Sequence, residues 1–159
     1  MVRRAATSPI FRGQHLGLLP GDPASETSVF VRTTRTTIHD IVAEARQVIT
    51  RLTPQQVADG DWLVLDTRTP TDRAANGIVN RSIHTPRTQL EWLCDPTSGY
   101  TNPAITSFDQ RIVVVCNEGY SSSLAAASLH RLGFVNAADM IGGIAAWQRA
   151  GLPLMDVDR

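Results

Sequence analysis

The sequence predicts an α/β domain with a central, mainly parallel sheet covered by helices on both faces. Three observations carry that prediction. Ile112, Val113, Val114 and Val115 form an uninterrupted β-branched run, which suits a strand buried on both sides of a parallel sheet. A second apolar run, Trp62 to Asp66, has the same character. Between and after these runs lie Ala-rich or three/four-spaced apolar segments of helical period, so that strands alternate with helices along the chain.

Residues 1 to 35 are rich in Ser, Thr, Pro, Gly and Arg and show no sustained period, so they read as an irregular N-terminal extension ahead of a domain spanning 36–159. From Thr37 the pattern changes. Ile38, Ile41, Val42, Ala45, Val48, Ile49 and Leu52 fall at helical spacing and predict one amphipathic helix over 37–52, with Thr36 or Thr37 as its cap and Asp40, Glu44, Arg46 and Arg51 on a solvated face. Thr53-Pro54 restarts the chain as a cap followed by a residue suited to a first helical turn, and Gly60 closes that short helix. The strand at 62–66 follows. A brief strand is expected at Ile83, a helix over Arg87 to Leu93, and a loop at 95–99. Tyr100 to Gln110 reads as a long surface connection. After the strand at 112–115 come a helix ending at Leu132, a strand around Ala138 to Ile141, and a last helix from Ile144 to Arg149.

Composition narrows the chemistry. The chain has 159 residues, enough for one sizeable core, and a formal net charge of zero, so nothing argues for a nucleic acid or an anionic membrane surface as partner. Every one of its basic side chains other than histidine is arginine, which excludes lysine Schiff-base chemistry and the lysine of a phosphate-binding loop. Cys94 and Cys116 lack zinc or Cys-x-x-Cys spacing, and His15, His39, His84 and His130 lack metal-ligand spacing. A reduced, cytoplasmic protein is the expectation, and no apolar segment has the length of a membrane-spanning helix.

The stretch with chemical content is Cys116-Asn117-Glu118-Gly119-Tyr120-Ser121-Ser122. It places a thiol where a buried strand ends and a helix begins, so the N–H groups of the turn and of the helix start converge on the sulfur. An unperturbed thiol, with a pKa of about 8.5, is only a few per cent ionised at neutral pH; a helix amino end moves it well below that. Cys116 is therefore the candidate nucleophile.

That loop, followed by Leu132-Gly133-Phe134 and by Gly142-Gly143-Ile144-Ala145-Ala146-Trp147, resembles the carboxyl half of a single-domain rhodanese, and Asp66-Thr67-Arg68 resembles the Asp-x-Arg strand end of the same family. The resemblance implies a rhodanese-like fold with the 62–66 strand beside the cysteine strand. It also implies sulfur transfer through a Cys116 persulfide, from thiosulfate or a thiol persulfide to a thiol or cyanide. Asn117, Glu118, Gly119, Tyr120, Ser121, Ser122 and Arg68 would bind substrate, with Asp66 in support; the plainer reading of Asp66 and Arg68 is a structural ion pair. Small sulfur donors and acceptors are the implied partners, with a protein thiol also eligible as acceptor, and no metal or organic cofactor is implied. A binding module without sulfur chemistry, docking a partner through helix 37–52 or the extension, is the alternative. The oligomeric state is left open.

Three departures from the family pattern matter. Asn80 and Arg81 stand where Pro and Gly are usual, and Asp72 stands where a glutamate is frequent. Glu118 puts a carboxylate in a loop expected to attract anions. Tyrosine-type phosphatases with a similar loop need an arginine six residues after the cysteine to clamp phosphate, and Ser122 stands there.

Overall fold

The computed structural model describes residues 35–157, so residues 1–34 of the expected extension and the last two residues lie outside the described part. Five strands, β1 (Thr50–Leu52), β2 (Leu63–Asp66), β3 (Ile83–His84), β4 (Ile112–Val115) and β5 (Ala137–Met140), form one sheet in the order β1-β5-β4-β2-β3. Every neighbouring pair is parallel. Six helices accompany them: α1 (Ile38–Val48), α2 (Pro54–Asp59), α3 (Pro70–Asn76), α4 (Leu90–Cys94), α5 (Ser121–Arg131) and α6 (Gly143–Arg149).

The central strand β4 shows why the sheet needs cover on both faces. Its four residues are all fully buried. Ile112 and Val114 join one apolar cluster with Leu65, Leu90, Leu129 and Phe134, whereas Val113 and Val115 join the opposite one with Val57, Val64, Ile144 and Trp147. The two-residue period of a strand thus supplies both cores from one short run, each buried side chain stabilising the fold by about 1.5–3 kcal/mol. Helices α4 and α5 cover the first face, with α1 packed on α5, and α2 and α6 cover the second.

The expected helix over 37–52 is two elements. Thr37 caps α1 through a capping box with Asp40, but the helix stops at Val48; Ile49 turns extended, and Thr50 to Leu52 pair with Ala138 to Met140 as an edge strand. Apolar residues at 49 and 52 continue the helical spacing by coincidence, while β-branched Ile49 and Thr50 favour the strand that β5 offers them. Only part of the predicted stripe faces inward: Val42, Ala45 and Ile49 are buried, but Ile38, Ile41 and Val48 are exposed. The Thr53-Pro54 helix ends at Gly60 as predicted, and its cap is a second capping box, with Gln56. Helix α3 has no counterpart in the sequence reading, although Thr69-Pro70 repeats the same start signal and Thr69 caps it. Helix α4 begins three residues later than expected, because a turn closed by the Gln89 N–H on the Pro86 carbonyl (2.8 Å) precedes it.

Arg81 holds a left-handed backbone, φ 61°, and is the one non-glycine residue with positive φ among those described. It occupies the position where the family pattern has glycine, so the turn is kept and an arginine bears the steric cost.

Candidate active site

Cys116 follows the last residue of β4, at the carboxyl edge of the sheet, and α5 begins five residues later. The residue is 6% exposed. The Gly119 N–H donates to Sγ at 3.1 Å, and the Ser122 hydroxyl lies 3.3 Å from it. Burial pushes the thiol pKa up, but the Ser121 and Ser122 hydroxyls and the Ser122 and Glu118 N–H groups more than offset that, leaving it below the ordinary thiol value. The start of an eleven-residue helix adds its dipole in the same sense.

The other side of the loop explains the Gly-Gly-x-x-x-Trp segment. At the start of α6 the Ile144 N–H donates to the Cys116 carbonyl (2.9 Å) and the Ala145 N–H to the Asn117 carbonyl (3.0 Å). The first two carbonyls of the loop are thereby both satisfied by α6. Such an approach leaves no room for side chains. A Cβ on Gly143 would lie 2.4 Å from the Cys116 carbonyl oxygen, and one on Gly119 would lie 2.5 Å from the Gly142 nitrogen; both glycines also hold positive φ.

A third support comes from residues that the sequence reading left on a solvated face. Arg46 of α1 donates from Nη2 to the Gly119 carbonyl (2.9 Å) and from Nε to Ser123 Oγ (3.2 Å), and its guanidinium lies 5.4 Å from the centre of the Tyr120 ring. Ser123 in turn donates to Asp139 Oδ2 (2.6 Å), a fully buried carboxylate on β5 that Arg51 of β1 pairs through two bonds. The chain from Arg51 through Asp139 and Ser123 to Arg46 therefore ties the edge of the sheet to the loop. Arg46 was detectable in principle, since it stands four residues after buried Val42 and three before buried Ile49.

The structure brings Cys116, Asn117, Glu118, Tyr120, Ser121 and Arg68 to one open pocket of about 300 Å³, which Thr69 and Asp72 also line. The guanidinium of Arg68 is otherwise engaged. Fully buried, it pairs with both oxygens of Asp66 (3.0 and 2.7 Å) and donates to the Gly77 carbonyl (2.7 Å). Arg73 adds a second cation to Asp66 at 3.2 Å. This is the ion-pair arrangement set beside the substrate-binding role for Arg68 in the sequence reading. Asp72 accepts from Thr69 Oγ1 (2.7 Å), and bonds from Thr69 and the Asn117 amide hold its pKa below the usual carboxylate value. Cys94 is a free, buried thiol in the α4 core, pushed up to about 12 by burial and by Glu91. Among the described residues no cluster of His, Cys, Asp and Glu is arranged to hold a metal ion.

A larger cleft, about 760 Å³, opens where β2 and β4 begin, beside Trp62, Arg81 and Arg111. It lies at the opposite ends of the strands from Cys116. In parallel sheets the chemistry sits at the carboxyl ends, so the smaller pocket is the candidate site.

Fold and loop together define an α/β protein with a buried, hydrogen-bonded cysteine of lowered pKa at the carboxyl edge of a parallel sheet. The chain belongs to the rhodanese-like domain family, whose profile matches residues 52–150. A sulfurtransferase of Allochromatium vinosum is 31% identical over 102 residues, 64% of this chain and 86% of that one. The thiosulfate sulfurtransferase GlpE of Actinobacillus succinogenes is 47% identical over 47 residues, which is 30% of this chain and 42% of GlpE, so less than half of that relative is spanned. Among solved structures, a Rhodopseudomonas palustris protein of unknown function, described as a possible tyrosine phosphatase, superposes with a TM-score of 0.69 at 28% identity over 84% of this chain and 99% of that one. A rhodanese-related protein of Thermoplasma volcanium gives 0.52 at 25% identity, covering 67% and 97%.

Proposed function

We propose that this protein is a sulfurtransferase in which Cys116 carries the sulfur. The Cys116 thiolate attacks the sulfane sulfur of thiosulfate or of a thiol persulfide, the donor's S–S bond breaks, and sulfite or the carrier thiolate departs with the electron pair. The persulfide then passes its outer sulfur to a thiol or to cyanide. N–H groups and hydroxyls of residues 117 to 122 hold the charge in both states. The observation that carries this reading is the set of donors around Sγ, which lowers the thiol pKa in spite of its burial. The names of the curated relatives point the same way.

Phosphate-ester hydrolysis, suggested by the description of the Rhodopseudomonas palustris protein, is disfavoured by one residue. Ser122, six positions after the cysteine, is buried against the sulfur and offers no bidentate cation for a phosphoryl group. The domain is taken to span residues 36–159, and a reducing, cytoplasmic setting suits two free thiols.

The test is mass spectrometry of the protein after incubation with thiosulfate or a glutathione persulfide. One added sulfur, about 32 Da, is expected on the Cys116 peptide and none on the Cys94 peptide. Cys116→Ser should lose transfer while keeping the fold, and Cys94→Ser should keep most of the activity. Full activity in Cys116→Ser would refute the proposal.

A further inference from the structure

The pocket around Cys116 has an unusual charge balance for a site that would receive a dianion. Three charged residues other than the cysteine line it: Arg68, Asp72 and Glu118. The Arg68 side chain is fully buried and shares the single Asp66 carboxylate with Arg73, so one surplus positive charge sits behind the pocket wall and helps to keep Asp72 ionised. Arg46, engaged by the Gly119 carbonyl, Ser123 and the Tyr120 ring, is not a lining residue. What faces an incoming molecule is therefore two carboxylates and a thiolate, with one buried positive charge behind them. Asp72 is half-buried and kept ionised by Thr69 and Asn117, and Glu118 is exposed at the turn of the loop.

We propose that this pocket takes its sulfur from a persulfide whose carrier thiol bears a protonated amine close to the sulfane sulfur, with Glu118 and Asp72 as the residues that select it. The proposal rests on the sulfurtransferase reading and narrows its donor. Thiosulfate would bring two negative charges against three, offset by a single buried positive charge, within the range that salt screens incompletely, and would release a sulfite dianion into the same field. An aminothiol persulfide reverses both terms. Its ammonium pairs with the carboxylates as the outer sulfur approaches Cys116. The Cys116 thiolate forms a bond to the outer sulfur of R–S–SH, the S–S bond breaks, and the carrier leaves as a thiolate whose charge its own ammonium offsets. The products are the Cys116 persulfide and the free aminothiol, with no oxidant or reductant consumed.

Two donors of similar size and opposite charge make the test: cysteamine persulfide and 3-mercaptopropionate persulfide, with thiosulfate as a third arm. The rate of sulfur addition to Cys116 in the full-length protein is followed by mass spectrometry at low and high salt. At low salt, cysteamine persulfide should charge Cys116 about tenfold faster than the carboxylate analogue, the size expected of two partly screened carboxylates. That ratio should shrink at high salt and in Glu118→Gln, and approach unity in the Glu118→Gln/Asp72→Asn double variant. Glu118 is exposed, so its single variant keeps the test sound if the double variant unfolds. Equal rates for the two persulfides, a ratio unmoved by Glu118→Gln, or thiosulfate outpacing both would overturn the proposal. If no donor adds sulfur to Cys116, the sulfurtransferase reading itself falls and this one with it.

Discussion

The two cysteines occupy environments that shift their acidity in opposite directions, and the signs have separate consequences. Cys116 is more acidic folded than unfolded, so the stability it contributes is present above the unfolded thiol value of about 8.5 and is lost as pH falls through its folded value. Cys94, raised to about 12, contributes stability that is full below about 8.5 and is lost as pH rises towards 12. Cys94→Ala should therefore flatten the alkaline decline of unfolding free energy, whereas Cys116→Ser should leave that decline in place; urea unfolding at neutral and alkaline pH compares them. Arg81 carries a second residue-scale effect. An arginine in the left-handed region costs about 1–2 kcal/mol, part of which a glycine returns as unfolded-chain entropy. Arg81→Gly should stabilise the protein by roughly 1 kcal/mol, seen as a rise of about 2–4 °C in Tm.

At the scale of elements, three segments grip one loop. Strand β4 delivers Cys116, the start of α6 takes the carbonyls of Cys116 and Asn117, and α1 reaches across through Arg46 to the carbonyl of Gly119. The last grip comes from outside the family-matched residues, since Arg46 precedes residue 52. On the sulfur-transfer proposal it acts as a positioning residue: holding the Gly119 carbonyl fixes the peptide next to the one whose N–H meets the sulfur. Arg46→Ala should slow transfer about tenfold, the worth of one hydrogen bond from a charged donor, and should move the midpoint of Cys116 alkylation to higher pH. Arg46→Lys should recover part of both by restoring a donor to the carbonyl. A lowered Tm with an unchanged alkylation profile would mean that Arg46 supports the fold and not the thiolate.

Over the whole molecule, legibility in the sequence followed the range of the interactions. The run Ile112 to Val115, the thiol at its end and the glycines before Trp147 are local patterns, and each marks a real element. Thr53-Pro54 and Gly60 bound α2 for the same reason, because a helix start is written in three or four adjacent residues. Strand β1 was hidden inside a helical period, since what makes Thr50 to Leu52 a strand is β5, far along the chain. Asp139 and Arg51 were equally out of reach: nothing near either residue announces that they meet. Arg68 shows the limit from the other side. The Asp-x-Arg pattern marks its neighbourhood, but only the fold reveals that the guanidinium turns to Asp66 and Gly77.

The strand order β1-β5-β4-β2-β3 also bears on how the chain comes off the ribosome. Until β4 has emerged, β2 has only the two residues of β3 to pair with, and β1 must wait for β5, whose last residue is Met140. Residues 35–111 are thus synthesised before the central strand of the sheet exists, and apolar residues such as Leu52, Val64 and Leu65 wait uncovered. Long-range parallel pairing of this kind is slow and exposes nascent chains to association with one another. Assembly must therefore come late and nearly all at once, and since the cradle around Cys116 needs β4, α5 and the start of α6 together, the hydrogen-bond donors gather around the sulfur only when that assembly is complete.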